Sequence, residues 1–315
     1  MSFDAEAVRA SLRPLVPNEA TVFTAGEERY LRFYGIHYSE GIADLRHSLG
    51  VVETPTHSIS VHHWRPLDAT GTAVVLHGYY DHVGLYGHLI RYLLGRGLAV
   101  VSFDLPGHGL SSGAVASIET FDHYVSAFDA CLDVLGSHLD QPWDLFGQSM
   151  GGAIAMEWLL GRGLTISNSP FKHVVLLAPL VRPASWQLVR LYYYLARRFV
   201  KERPRTFAAN AENPEFIAFL RDEDVLQART LPVQWVTAMI GWMKRFETYP
   251  GTDIAPLVVQ GQSDRTVDWK YNMRILERLF EPDVLYIPEA RHHLVNESAP
   301  IRAQMFAAID AELER

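Results

Sequence analysis

Between residues 73 and 180 short apolar runs alternate with longer segments whose apolar positions recur at helical spacing. Residues 73–76, 99–103, 143–146 and 173–177 have the length of buried strands, whereas 85–94, 118–139 and 150–160 have the length and period of helices. Two earlier runs, 46–52 and 58–64, flank the turn Thr54-Pro55-Thr56 and predict an opening hairpin after a polar leader. The alternation stops at 181–251, where no strand is evident and aromatic residues such as Trp186, Tyr193, Phe216, Trp235 and Trp242 occupy helix-patterned positions. It resumes with strands at 256–260 and 284–287 and helices at 270–280 and 300–313. Strands that alternate with helices pack into a mostly parallel sheet covered on both faces. The chain is therefore expected to be one α/β domain, its core built from 1–180 and 252–315, with a helical cap inserted at 181–251.

Composition narrows this further. A chain of 315 residues with 48% apolar and 20% charged content has the material for a large core, which excludes a disordered or collagen-like protein. Its 28 Lys and Arg against 36 Asp and Glu leave a net charge of −8, so no global basic field exists to hold nucleic acid. Cys131 is the only cysteine, which excludes an internal disulfide and a cysteine-based metal site. The first 30 residues show neither a basic start nor an apolar run of signal-peptide length, and no segment reaches 18 uninterrupted apolar residues. The expected location is cytoplasmic.

Chemistry enters at Gly147-Gln148-Ser149-Met150-Gly151, which follows the run 143–146 and opens a helical segment. A strand that turns sharply into a helix holds its apex residue in a strained conformation, and flanking glycines remove side chains that would collide there. Ser149 is thus the candidate nucleophile. A serine needs a base and an orienting acid, which in this topology follow in the order serine, carboxylate, histidine at the ends of later strands. Strand 256–260 runs into Gly261-Gln262-Ser263-Asp264, which makes Asp264 the candidate acid, with Asp268 better suited to cap the next helix. Strand 284–287 runs into His292 and His293, and spacing alone does not choose between them. An oxyanion hole needs two backbone N–H donors. The residue after the nucleophile, Met150, supplies one, and Tyr79, after Gly78 in the loop that follows strand 73–76, is the candidate for the other. His77 and His82 have no third ligand of comparable standing, so no metal is expected.

On these motifs the chain resembles α/β-hydrolases of the monoacylglycerol lipase and bacterial lysophospholipase group, whose catalytic domain is of serine aminopeptidase S33 type. His77, Gly78, Asp81, His82 and Tyr86 resemble that group's oxyanion-loop signature, with Asp81 where Glu is more common. Phe103-Asp104-Leu105-Pro106-Gly107-His108-Gly109-Leu110-Ser111 resembles its G-H-G-x-S loop, and Arg291-His292 with Asn296-Glu297 resembles its base segment. The likeness covers residues 70–180 and 252–315 and is weak over the cap. It implies the α/β-hydrolase fold and His292 as the base. It also implies a serine hydrolase that cleaves carboxylic esters of aliphatic acyl chains through an acyl-enzyme, with monoacylglycerols or lysophospholipids as substrates and no cofactor. The same triad permits acyl transfer to an alcohol, and the same pocket would serve a non-enzymatic sensor. A dehalogenase would need a carboxylate where Ser149 stands.

Residues 188–201 predict one further helix. At 100° per residue Leu188, Leu191, Tyr192, Leu195 and Phe199 share a face, opposite Arg190, Arg197, Arg198 and Lys201, with Arg203 and Arg205 extending the basic run. Its apolar face is expected either over the pocket, with the charges in water, or at a membrane carrying anionic lipid or phosphate head groups.

Overall fold

The computed structural model describes residues 2–315. Helices α1 (Ala5–Ser11) and α2 (Ala25–Phe33) lead into strands β1 (Arg46–Glu53), β2 (Ser58–Arg65) and β3 (Thr72–Leu76). Helix α3 (Gly87–Gly95), β4 (Ala99–Phe103), α4 (Asp122–Leu135), β5 (Trp143–Gln148), α5 (Met150–Gly161) and β6 (Phe171–Leu177) follow. After α6 (Trp186–Ala196), β7 (Glu202–Pro204), α7 (Pro214–Asp222), β8 (Thr230–Pro232) and α8 (Val233–Phe246), the chain returns through β9 (Leu257–Gly261), α9 (Trp269–Leu279), β10 (Asp283–Ile287) and α10 (Ala299–Leu313).

Eight strands form one sheet in the order β1-β2-β4-β3-β5-β6-β9-β10. The β1–β2 and β2–β4 pairings are antiparallel and every later pairing is parallel, so all strands from β3 onward end at one edge. This is the mostly parallel, doubly covered sheet that the alternation predicts. One face packs on α4, α5, α8 and α9 through residues such as Leu76, Phe103, Phe128, Ile154 and Trp242. The other packs on α3, α10 and the amino-terminal helices through Tyr30, Tyr86, Phe146, Leu177 and Met305. Helix α5 shows why periodicity alone is a poor guide at the centre: Met150 through Leu160 are all buried, because sheet and helices enclose it on every side.

Three features depart from the sequence expectation. The polar leader contains two helices, set by capping rather than by apolar period: Asp4 caps α1, and Thr24 with Glu27 forms a capping box on α2. Residues 181–251 hold a small antiparallel ribbon, β7 with β8, too short and exposed to read as apolar alternation. The helix expected over 188–201 stops at Ala196, where the chain turns away to form that ribbon, so Arg197, Arg198 and Lys201 lie beyond its last turn. Among the described residues no helix is long and apolar enough to cross a membrane.

Buried Glu157 fastens the inserted segment to the sheet. Its carboxylate accepts hydrogen bonds from Trp242 Nε1 at 2.9 Å, Arg245 Nη2 at 2.7 Å and the Tyr249 hydroxyl at 2.9 Å. Glu157→Ala leaves these donors without their acceptor, and a loss of about 2–3 kcal/mol is expected. A lower urea midpoint with unchanged slope is the measurement that checks it.

Candidate active site

The turn from β5 into α5 carries Ser149 at φ 53° and ψ −114°, outside the regions that L-residues ordinarily occupy. The neighbouring glycines are required by close approach. A Cβ at Gly147 would lie 2.7 Å from the Gly151 carbonyl, and one at Gly151 would lie 2.2 Å from the Leu76 carbonyl oxygen. The strained backbone is held by the Ser149 N–H on Leu177 O at 2.9 Å and by the Leu180 N–H on Ser149 O at 3.0 Å. The serine side chain thereby stands at the carboxyl edge of the sheet, beside the loops that leave β3, β9 and β10.

His292, after β10, places Nε2 2.9 Å from Ser149 Oγ, while its Nδ1 lies 2.8 Å from Asp264 Oδ2. Asp264, after β9, also accepts the N–H groups of Thr266 at 2.7 Å and Val267 at 3.2 Å through Oδ1. Three side chains from three strand ends thus form one hydrogen-bonded line, all of them buried. Asp268 stands apart from this line as the N-cap of α9, accepting the Tyr271 N–H. Burial opposes the charge on both members of the pair. For His292 the adjacent Asp264 carboxylate outweighs it and raises the pKa above 6.5, and for Asp264 the imidazole and the loop N–H groups hold the carboxyl below its usual value.

His293 turns the other way. Its Nε2 lies 3.1 Å from Asp81 Oδ2 in the loop after β3, and its backbone N–H donates to Asn210 O at 2.8 Å. Asp81 also accepts the Tyr86 hydroxyl at 2.9 Å, and Tyr86 in turn accepts the Gly78 N–H at 2.8 Å. Although burial works against ionisation, His293 and Tyr86 keep the Asp81 carboxyl well below the usual range. A second Asp-His contact therefore ties the loop after β3 to the loop after β10, directly beside the first. The sequence carried its residues without showing that they meet.

The loop after β3 is pinned at further points. Tyr80 sits at φ 71° in a turn closed by the Asp81 N–H on Gly78 O. His77 donates from Nδ1 to Gly78 O and accepts the Leu105 N–H at Nε2, both at 2.8 Å. His82 approaches Asp224 of the inserted segment at 3.1 Å. Asp104 accepts the N–H groups of Val83 and Leu110, each at 2.8 Å. His77 and His82 are thus each bonded elsewhere rather than facing a common ion. The N–H groups of Tyr79 and Met150 make no hydrogen bond within the described protein, which leaves two donors free beside Ser149. The Tyr79 ring stacks on Trp235 at 3.7 Å, and its hydroxyl donates to Ala116 O.

Above Ser149 lies a cavity of about 280 Å³. Its lining includes apolar Leu180, Pro183, Leu231, Trp235, Met239 and Val267 and polar Tyr80, Asp81, Arg205, Asn210 and His293. Helix α6 contributes no residue to it. The stripe Leu188, Leu191, Leu195 and Phe199 instead faces outward, at 69%, 59%, 69% and 87% exposure, and only Trp186 and Tyr193 of the helix are buried. This corrects the expectation of an apolar helix face over the pocket. The roof is supplied by α7, α8 and the loops around the ribbon, and α6 packs on the core through Trp186 and Tyr193, with Val189 partly buried beside them.

Fold and site together define an α/β-hydrolase. The family model for serine aminopeptidase S33 matches residues 68–299, and the chain belongs to that family. It is 26% identical to a monoacylglycerol lipase of Mycolicibacterium smegmatis over 245 residues, 74% of this chain and 85% of the relative. It is 28% identical to human monoglyceride lipase over 260 residues, 76% of this chain and 80% of the relative. The crystal structure of Paleococcus ferrophilus monoacylglycerol lipase superposes with a TM-score of 0.69 at 21% identity, over 81% of this chain and 98% of that one. Family and relatives place the chain among the carboxylic ester hydrolases.

The His292–Asp264 contact has a measurable consequence. In wild type the His292 imidazole is expected to titrate above 6.5. In Asp264→Asn the adjacent charge is gone and burial is opposed only by the Asp81 carboxylate, so the midpoint should fall below that of wild type. Proton NMR of the imidazole across pH reads both, and an unchanged midpoint would show that Asp264 does not govern this histidine.

Proposed function

We propose that Ser149 attacks the carbonyl carbon of an acyl ester while His292 accepts its proton. Asp264 holds the imidazole with Nε2 free to accept and stabilises the imidazolium that forms. The N–H groups of Tyr79 and Met150 receive the oxyanion of the tetrahedral intermediate, in a site screened from water where such bonds count most. Collapse of the intermediate breaks the C–O bond, His292 protonates the departing alcohol, and the acyl group stays on Ser149. A water that gives its proton to His292 then releases the acid and restores the serine. No cofactor is called for. The observation that carries this reading is the continuous hydrogen-bonded line Ser149, His292, Asp264 at the floor of the cavity.

The apolar lining from Leu180 to Val267 suits an aliphatic chain, each buried CH₂ of which contributes about 0.8 kcal/mol. Monoacylglycerols and lysophospholipids are therefore the proposed substrates, in keeping with the lipases to which the chain is similar. In this reading residues 181–251 act as the cap that covers the acyl chain. A fluorophosphonate probe should label wild type and fail on Ser149→Ala. His292→Ala should lower kcat by about 10³-fold or more, and His293→Ala far less, because members of a triad act as a unit. Equal labelling of wild type and Ser149→Ala would overturn the assignment.

The outward stripe on α6 supports a peripheral contact with an anionic bilayer. Leu188, Leu191 and Leu195 on the helix and Phe199 just past its end are exposed, as are Arg190, Arg197, Arg198 and Lys201, in a protein of net charge −8. Basic residues close to an anionic leaflet are each worth about 1 kcal/mol, and the apolar stripe enters the interface alongside them. Co-sedimentation with liposomes should rise with anionic lipid, weaken with salt, and fall when Arg197, Arg198 and Lys201 become Gln. Binding that ignores lipid charge would remove the electrostatic part of this proposal.

A further inference from the structure

Arg203 and Arg205 belong to one basic run in the sequence, but the fold separates them. Arg203 is exposed and lies over the Tyr192 ring at 5.8 Å, whereas Arg205 is partly buried and lines the cavity above Ser149. The Arg205 guanidinium sits 4.0 Å from the Tyr80 ring centroid and 4.5 Å from that of Phe207, so its position is set by two aromatic rings. Nη1 is committed to Gln227 Oε1 and Ala228 O. Among the described residues the three N–H groups on Nε and Nη2 find no hydrogen-bond acceptor, and neither nitrogen is sealed from the surface. Among the described residues no carboxylate forms an ion pair with Arg205. Asp81 and Asp224 favour its charge only from a longer range.

An arginine held by its rings and by one terminal nitrogen, with the Nε and Nη2 fork unused, is arranged for two parallel hydrogen bonds to an oxyanion. A partly desolvated cation at this place is costly unless a counter-ion arrives. Asn210 lines the same cavity, and its Oδ1 is buried without a donor. An acceptor in want of a hydroxyl and a cation in want of an anion, both lining the cavity above Ser149, together describe an alcohol moiety that carries a free hydroxyl and an oxyanion.

We propose that Arg205 reads an oxyanion, phosphate or carboxylate, on the alcohol portion of the ester, so that the enzyme favours acyl esters of anionic polyols over neutral monoacylglycerols. This rests on the ester-hydrolase reading and adds the head group to it. In this arrangement the acyl chain packs on Leu180, Trp235 and Met239, and the head group meets Arg205 and Asn210. The bond to Ser149 lies between them.

Three esters with the same dodecanoyl chain test it below their micelle concentrations: 1-dodecanoyl-glycerol, its 3-phosphate, and dodecanoyl-glycerate. Wild type should show a higher kcat/KM for the anionic esters by roughly 10-fold or more, the scale of charge-assisted hydrogen bonds. Arg205→Gln should lower the anionic-to-neutral ratio by roughly 10- to 100-fold, and Arg205→Lys should retain part of it as a point charge without the fork. A preference for the phosphate alone assigns a phosphoryl head group, and a preference shared by both anions assigns an oxyanion in general. Wild type alone supplies a second measurement: glycerol 3-phosphate should inhibit hydrolysis of the neutral ester at a concentration at least about tenfold below that of glycerol. A neutral ester turned over as well as both anionic ones would overturn the proposal. So would an Arg205→Gln enzyme slowed equally on all three, since Arg205 would then merely support Tyr80. Hydrolysis of none of the three, with no fluorophosphonate labelling of Ser149, would fail the ester reading itself.

Discussion

The approach of α5 to the end of β3 is the constraint on which the site depends. Backbone meets backbone there so closely that residue 151 has no room for a Cβ against Leu76 O. The contact drives the chain through a turn too sharp for ordinary backbone, and Ser149 takes the positive φ that results. It also brings the loop after β3 alongside the serine: a Cβ on Gly78 would stand 3.3 Å from that of Ser149. Ser149 and the Tyr79 amide are thus neighbours because two glycines let main chains touch, and the cost of the strained serine is met by the fully buried helix behind it.

Loops at the edge of a sheet are ordinarily its least ordered part, yet here each is fastened by buried polar groups. Asp104 binds the loop after β4 to the loop after β3 through backbone N–H groups on both. Tyr86, Asp81 and His293 carry the chain of contacts from Gly78 across to the loop after β10. Glu297 continues it, accepting the Arg291 N–H with one oxygen and the Glu212 N–H of the inserted segment with the other, both at 2.6 Å. A polar network of this kind is stabilising only when its members find partners, and these do so by joining loops that are remote in sequence.

The sheet was legible because its strands are short apolar runs between helices, and strand ends point to Ser149, Asp264 and to the His292-His293 doublet by position. Which histidine faces the serine was not visible in spacing, because the answer depends on Asp81, more than 200 residues earlier in the chain. The direction of the α6 stripe was also hidden: a helical period reports that two faces differ, and not which one meets protein. Arg205 shows the same limit, since adjacent arginines in a polar stretch part company only once β7 turns the chain. In the leader, apolar spacing is silent, whereas Thr24 and Glu27 at capping distance would have marked α2.

The inserted segment is held to the loop after β10 largely by its own backbone. Asn210 O receives the His293 N–H, Ala209 O and Ala211 O receive the Arg291 guanidinium, and the Glu212 N–H meets Glu297. Peptide groups are common to nearly every residue, so apart from the Glu212 carboxylate, which pairs with Arg291, this anchorage asks little of the side chains at 209–212. Mutational drift in the insert is therefore decoupled from the alignment of His292. A lineage can remodel the lining of the cavity, residue by residue, while Ser149, His292 and Asp264 keep their register.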